Sequence, residues 1–136
     1  MKFKTLTGAQ RRVSNIKKHL VNWDEKSRSK FQFEVKKFLE PFWTNHVVFE
    51  EFPIVGTKMS LDLYNANKKI AVEVQGKQHT KYVPFFHGQY KNNYIAQLER
   101  DHKKMQFCEI NDILLVEIYP NDILNKKTFE KCGVIL

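Results

Sequence analysis

Asp62 and Glu73 are the residues of this chain best suited to chemistry, two carboxylates eleven positions apart within KMSLDLYNANKKIAVEVQGKQH, residues 58–79. On one face they would repel each other unless a cation sat between them. Magnesium suits such a pair, because it keeps several waters and completes its shell from carboxylates and phosphate oxygens. Gln75, Lys77 and His79 continue the face of Glu73, and Gly76 lets a second backbone come close. An acid, an amide, an amine and an imidazole in line are expected of a site that handles a metal and a phosphate. The bland alternative is a hairpin with a solvated acidic face.

The elements that must position this pair are two strands. Met59, Leu61 and Leu63 alternate with Ser60, Asp62 and Tyr64. Ile70, Val72 and Val74 alternate with Ala71, Glu73 and Gln75. Both are period-2 patterns. Asn65-Ala66-Asn67-Lys68 between them favours a turn. Pairing Tyr64 with Lys69 sets Asp62 opposite Ala71 and Glu73 opposite Ser60. The two acids are then diagonal neighbours on one face, about 7–8 Å apart at the backbone. A one-residue slip would send them to opposite faces.

Ahead of the hairpin, Phe31, Val35, Phe38, Leu39 and Phe42 mark one face of a helix. Asp24, Ser27 and Ser29 are candidate caps, and Pro41 is expected to limit its end. Glu34 lies on the margin of that face and needs a partner or a wet cleft. Residues 46–52 read as a strand with Val47 and Phe49 on one face. At the N-terminus, Val13, Ile16, Leu20 and Trp23 fall at helical spacing. They predict a helix whose free face, carrying Arg11, Arg12, Lys17 and Lys18, contacts phosphates.

Residues 80–93 interleave Lys81, His87 and Lys91 with Tyr82, Phe85, Phe86 and Tyr90. The cations are assigned to a nucleic acid, while Phe85 and Phe86 are expected to fold inward. Residues 94–108 predict a helix with a stripe of Tyr94, Leu98, Met105 and Cys108, in which Asp101 is anomalous. Asp101 either pairs with a cation such as Arg100 or faces the cleft near His79. Asn111-Asp112 marks a turn, and residues 113–118 form a buried strand. Reached through a crossover helix, that strand should lie parallel to its partner. The tail after Pro120 is expected to hold a short helix.

The chain has 136 residues, a net charge of +8 and a pI of about 9.5. That length predicts one domain, and the positive balance favours a polyanion. No apolar run suits a membrane span or a signal peptide, so an intracellular protein with no membrane partner is expected. Cys108 and Cys132 lack metal-ligand spacing and read as reduced thiols.

Asp62, the eleven-residue step and Glu73-Val74-Gln75 resemble the signature of the PD-(D/E)XK nuclease superfamily, with Gln where that pattern has Lys. EVQGKQH, followed by QLERDHKK and CEINDILLVEI, resembles its small phage-type members. These are free-standing homing endonucleases and relatives of the very-short-patch repair endonuclease. The resemblance implies an α/β fold with a three-layer restriction-endonuclease-like core over residues 27–119 and a mixed sheet flanked by helices. Residues 1–24 would be a basic arm, and residues 120–136 a tail. It implies a magnesium-dependent endodeoxyribonuclease acting on double-stranded DNA, with manganese able to substitute, in the host cell of a phage. Asp62, Glu73 and the Val74 carbonyl would hold the metal, and Glu34 would complete the site. Gln75 supplies no charge, so Lys77 or His79 would take over from the missing Lys. Gln97 and Asp101, with Arg100, match a recurring segment of those enzymes. Cutting both strands would need a homodimer, a higher oligomer or two successive events. The rivals are a structure-specific nuclease of the junction-resolvase or mismatch type, and a non-catalytic DNA-binding module. An RNA-binding protein is disfavoured, because no aromatic strand motif is present.

Overall fold

The computed structural model describes residues 1–76 and 89–136, and the side chains of 89–91 are not described. Lys77, His79, Lys81 and His87 lie outside the described residues, as do Tyr82, Phe85 and Phe86. The side chains of Tyr90 and Lys91 do too.

The fold is mixed α/β. In chain order the elements are β1 (Lys2–Lys4), β2 (Gln10–Arg12), α1 (Lys30–Trp43), β3 (Val48–Pro53) and β4 (Ser60–Asn65). Then come β5 (Ile70–Val74), α2 (Gln89–Ile110), β6 (Leu114–Ile118) and α3 (Lys126–Lys131). One sheet has the order β3-β4-β5-β6, antiparallel except for the parallel pair β5-β6. The crossover through α2 therefore returns the chain parallel to β5, as its length requires. β1 and β2 form a separate antiparallel hairpin.

Helices cover both faces of the four-stranded sheet. Val35, Leu39 and Trp43 of α1 and Phe129 of α3 pack with Leu63, Val72, Val116 and Ile118. On the other face Phe107 and Cys108 of α2 join Phe3, Phe49, Phe52, Tyr64 and Ala71. This double cover explains why all five residues from Leu61 to Asn65 are buried. Among the described residues no helix is long and apolar enough to cross a membrane. Both cysteines are free thiols.

The N-terminal segment is not a basic helix. Phe3 decides this, because its ring packs 5.5 Å from Phe52, 6.0 Å from Tyr64 and 5.8 Å from Phe107. Strand pairing of β1 with β2 holds it there, around a turn with Gly8 at φ 90°. Only residues 16–19 are helical, as one 3-10 turn that begins after the left-handed Asn15. Arg11 and Arg12 lie on β2, and Lys17 and Lys18 in that turn, all four exposed.

Ser29 caps α1, its hydroxyl oxygen accepting from the Gln32 N–H at 3.1 Å. Pro41 does not end this helix, which runs on to Trp43. Lying in the last turn, the proline forgoes one hydrogen bond, while buried Trp43 and the Phe38–Phe42 contact hold the turn. Val47 and Phe49, expected on one face, differ: Val47 is exposed, while Phe49 is buried along with Val48 and Phe52. Glu51 takes φ 52°, and the ladder skips from Glu50↔Leu63 to Phe52↔Leu61. Across this break Phe52 and Leu61 join the same core as Phe49 and Tyr64.

Candidate functional site

The β4–β5 register is Leu63↔Val72, Tyr64↔Ala71 and Asn65↔Ile70. One further step sets Asp62 directly opposite Glu73, not diagonal to it. The sequence-based register was two residues out. Asn65 is the reason: it belongs to the strand rather than the turn. Its buried amide bonds His46 Nδ1 at 2.9 Å, and its carbonyl oxygen accepts from the Lys68 N–H at 3.0 Å. A shift of two preserves side-chain parity, so both acids still share a face. The Val74 N–H donates to Asp62 Oδ2 at 2.8 Å, which fixes one carboxylate against the opposite strand.

Both acids are buried, Asp62 at 6% and Glu73 at 4% exposure. Burial first, and then the charge and hydrogen bonding of Asp62, push the Glu73 carboxyl up to about 9. Lys104 on α2 opposes that shift, with Nζ 3.1 Å from Glu73 Oε1. The contact is an ion pair between two largely buried side chains. Among the described residues Glu73 Oε1 accepts no hydrogen bond.

The pair opens into a cleft of about 650 Å³ between the start of α1 and the middle of α2. The strand wall includes Asp62, Glu73, Val74, Gln75 and Gly76. The α2 wall is Gln97, Arg100, Asp101 and Lys104. Here the expected stripe of α2 is corrected. Leu98 and Met105 are exposed, and the inward row runs Gln97, Asp101, Lys104, Cys108. Asp101 is half-buried in this row, accepting from Gln97 Nε2 at 2.9 Å, while Arg100 donates to Gln97 Oε1 at 2.7 Å. Asp101 thus faces the cleft and takes no ion pair among the described residues. Lys104 was missed in the sequence. It was findable, since it lies three residues beyond Asp101 on the same helical face.

Glu34 does not join the pair. It is exposed and lines neither wall, because the cleft-facing side of α1 is that of Ser29 and Gln32. Gln32 donates to Glu50 Oε2 and Glu51 Oε1, both at 3.0 Å. Glu51 also accepts from Ser60 Oγ at 3.0 Å and pairs with Arg28 at 3.3 Å. On the neighbouring edge strand β6, Glu117 is in register with Glu73 and accepts the Tyr119 hydroxyl at 2.7 Å. One transverse row thus carries an acid from each strand, but the outer two have partners of their own. Among the described residues no three His, Cys, Asp or Glu side chains converge on a metal position. The inner two, Asp62 and Glu73, face each other with the Val74 N–H on one and Lys104 beside the other. Of the other expected contacts, Gln75 lines the cleft and its N–H donates to the Ile118 carbonyl at 2.8 Å. Arg12, Lys17 and Lys18 line neither this cleft nor its neighbour.

The chain is similar to viral proteins. It is 33% identical over 95 residues to uncharacterized protein 033L of Invertebrate iridescent virus 3, covering 66% of this chain and 48% of that one. It is 38% identical over 66 residues to uncharacterized protein 094L of Frog virus 3, covering 48% and 43%. It is 32% identical over 84 residues to uncharacterized protein 307L of Invertebrate iridescent virus 6, covering 58% and 42%. The chain thus spans under half the length of these relatives. No family model matches it. No solved structure matches it either.

Proposed function

We propose that this chain is a metal-dependent DNA endonuclease with a restriction-endonuclease-like core. One observation carries the reading: two buried carboxylates on neighbouring strands face each other in a cleft lined with cations. The donor set fits magnesium. Two acids and a nearby backbone carbonyl at Val74 suit an ion that keeps much of its water shell. Burial and the facing Asp62 raise the proton affinity of Glu73 even with Lys104 beside it, so a second cation between the two acids would relieve their repulsion. Bound there, magnesium or manganese would acidify a water and offset charge on the phosphate. The residues do the rest. Asp62, anchored by the Val74 N–H, presents its carboxylate in a fixed orientation. Gln75 orients by hydrogen bonding and brings no charge. Lys104 brings the ammonium that Gln75 lacks, already at contact distance from the acid pair. Arg28, Lys58 and Arg100 around the cleft favour an anionic substrate. His79 and Lys77 remain candidates for proton transfer, outside the described residues.

The test is digestion of random duplex DNA with magnesium, followed by sequencing of the ends. We expect cleavage that is lost in EDTA, and lost to background in Glu73→Gln while DNA binding persists. A recurring sequence at the ends supports a site-specific homing-type enzyme. Cuts confined to branched DNA support the structure-specific alternative. A folded chain that cuts no DNA with any divalent metal overturns the proposal in favour of a binding module.

A further inference from the structure

A second groove, of about 610 Å³, opens between the β1–β2 hairpin, the turn before β4 and α2. It adjoins the carboxylate cleft, since Lys58, Met59 and Arg100 line both. Its charged lining is Arg11, Lys58, Arg100 and Lys103, with no carboxylate. All four are exposed, and among the described residues none of them forms an ion pair. The hairpin is seated closely on the turn. A Cβ added at Gly56, φ 82°, would come 3.2 Å from Thr5 Cγ2 and 3.9 Å from Arg11 Nη1. Folding residues 1–12 as a hairpin is therefore what brings Arg11 alongside Lys58.

Four unneutralised cations in one channel repel one another. A polyanion with regularly spaced charges relieves that repulsion and releases its own counterions. We infer that this groove holds the phosphodiester backbone of duplex DNA flanking the position that is cut, by phosphate contact rather than base readout. The inference rests on the endonuclease reading for the identity of the polyanion. The arrangement is complementary to that reading: the acids lie in one cleft, and the groove that adjoins it is lined by cations with no carboxylate.

The test measures binding of a short labelled duplex DNA by fluorescence anisotropy in EDTA, over a range of salt. The groove variant is Lys58→Ala with Lys103→Ala. Its control is Lys127→Ala with Lys131→Ala on α3, which packs on the other face of the sheet. All four lysines are exposed, so neither variant disturbs the core. We expect the groove variant to bind at least about tenfold more weakly at 0.1 M salt, with the salt slope reduced by about 2. The control should bind as the unmodified chain does. Unchanged binding in the groove variant, or equal weakening in both, overturns the inference. So does tighter binding of duplex RNA of the same length with the same groove dependence. Because no cleavage is read, the two proposals fail separately. Groove-dependent binding without cleavage in any metal sinks the endonuclease and leaves the groove as a duplex-DNA contact with no cut beside it, and cleavage with groove-independent binding sinks the groove alone.

Discussion

Glu73 holds a proton up to about pH 9 in the folded chain, because burial and the facing Asp62 disfavour its charge. In the unfolded chain a glutamate ionises at about 4.3. Between those values the folded state binds more protons than the unfolded state, so stability falls as pH rises through the window. The stability is fully present below the unfolded value and is lost as pH climbs toward the folded one. We therefore expect the melting temperature in EDTA to fall from about pH 5 to about pH 9 relative to Glu73→Gln, whose profile should be flatter. On the proposed reading, magnesium should raise the melting temperature more at the alkaline end, since the ionised pair is the form that would hold it. Parallel profiles for the two proteins would contradict this account of Glu73. Thiol chemistry gives a second handle. Burial and then the charge of Glu73 push the Cys108 thiol up to about 12, with Lys104 opposing.

At the scale of the element, α1 is tied to the sheet by one fully buried lysine. Lys36 Nζ donates to Glu50 Oε1 at 2.9 Å, to the Asn22 carbonyl at 3.0 Å and to the Glu25 carbonyl at 2.6 Å. Ser27 and Gln32 complete the shell of Glu50. Lys36→Ala would leave Glu50 without its cation and two carbonyls without this donor. It should cost about 3 kcal/mol, at the low end for a broken buried pair because two neutral donors remain. Urea unfolding followed by tryptophan fluorescence measures it, and a loss under about 1 kcal/mol would show that water replaces the ammonium. This network was not legible in the sequence. Lys36 falls beside the apolar stripe of its helix, and nothing local says that the loop before the helix folds back over it. Glu34 was misplaced for the same reason. An acid near an apolar face has two sides to turn to, and only the position of β3 decides between them.

At the scale of the molecule, a sheet covered on both faces leaves the acid pair open in the cleft between the start of α1 and the middle of α2. Cys108 lies at the floor of that arrangement at 1% exposure, while Cys132 is half-buried near the C-terminus. Iodoacetamide at about pH 8 should therefore modify Cys132 first, and Cys108 only on unfolding. Mass spectrometry of the peptides reads this, and equal rates would mean that the α2 face opens freely. The sequence alone determined that Asp62 and Glu73 share a face. Alternation of apolar and polar residues fixes side-chain parity, and parity survives a two-residue slip. It also determined that β6 lies parallel to β5, because a helix-length crossover permits little else. Tertiary structure alone decided the register, through Asn65 and its contact with His46. It also made residues 1–12 a hairpin, because Phe3 completes an aromatic cluster drawn from distant segments. It brought Lys104 to Glu73 as well. Contacts made over long sequence separations have no local pattern to announce them.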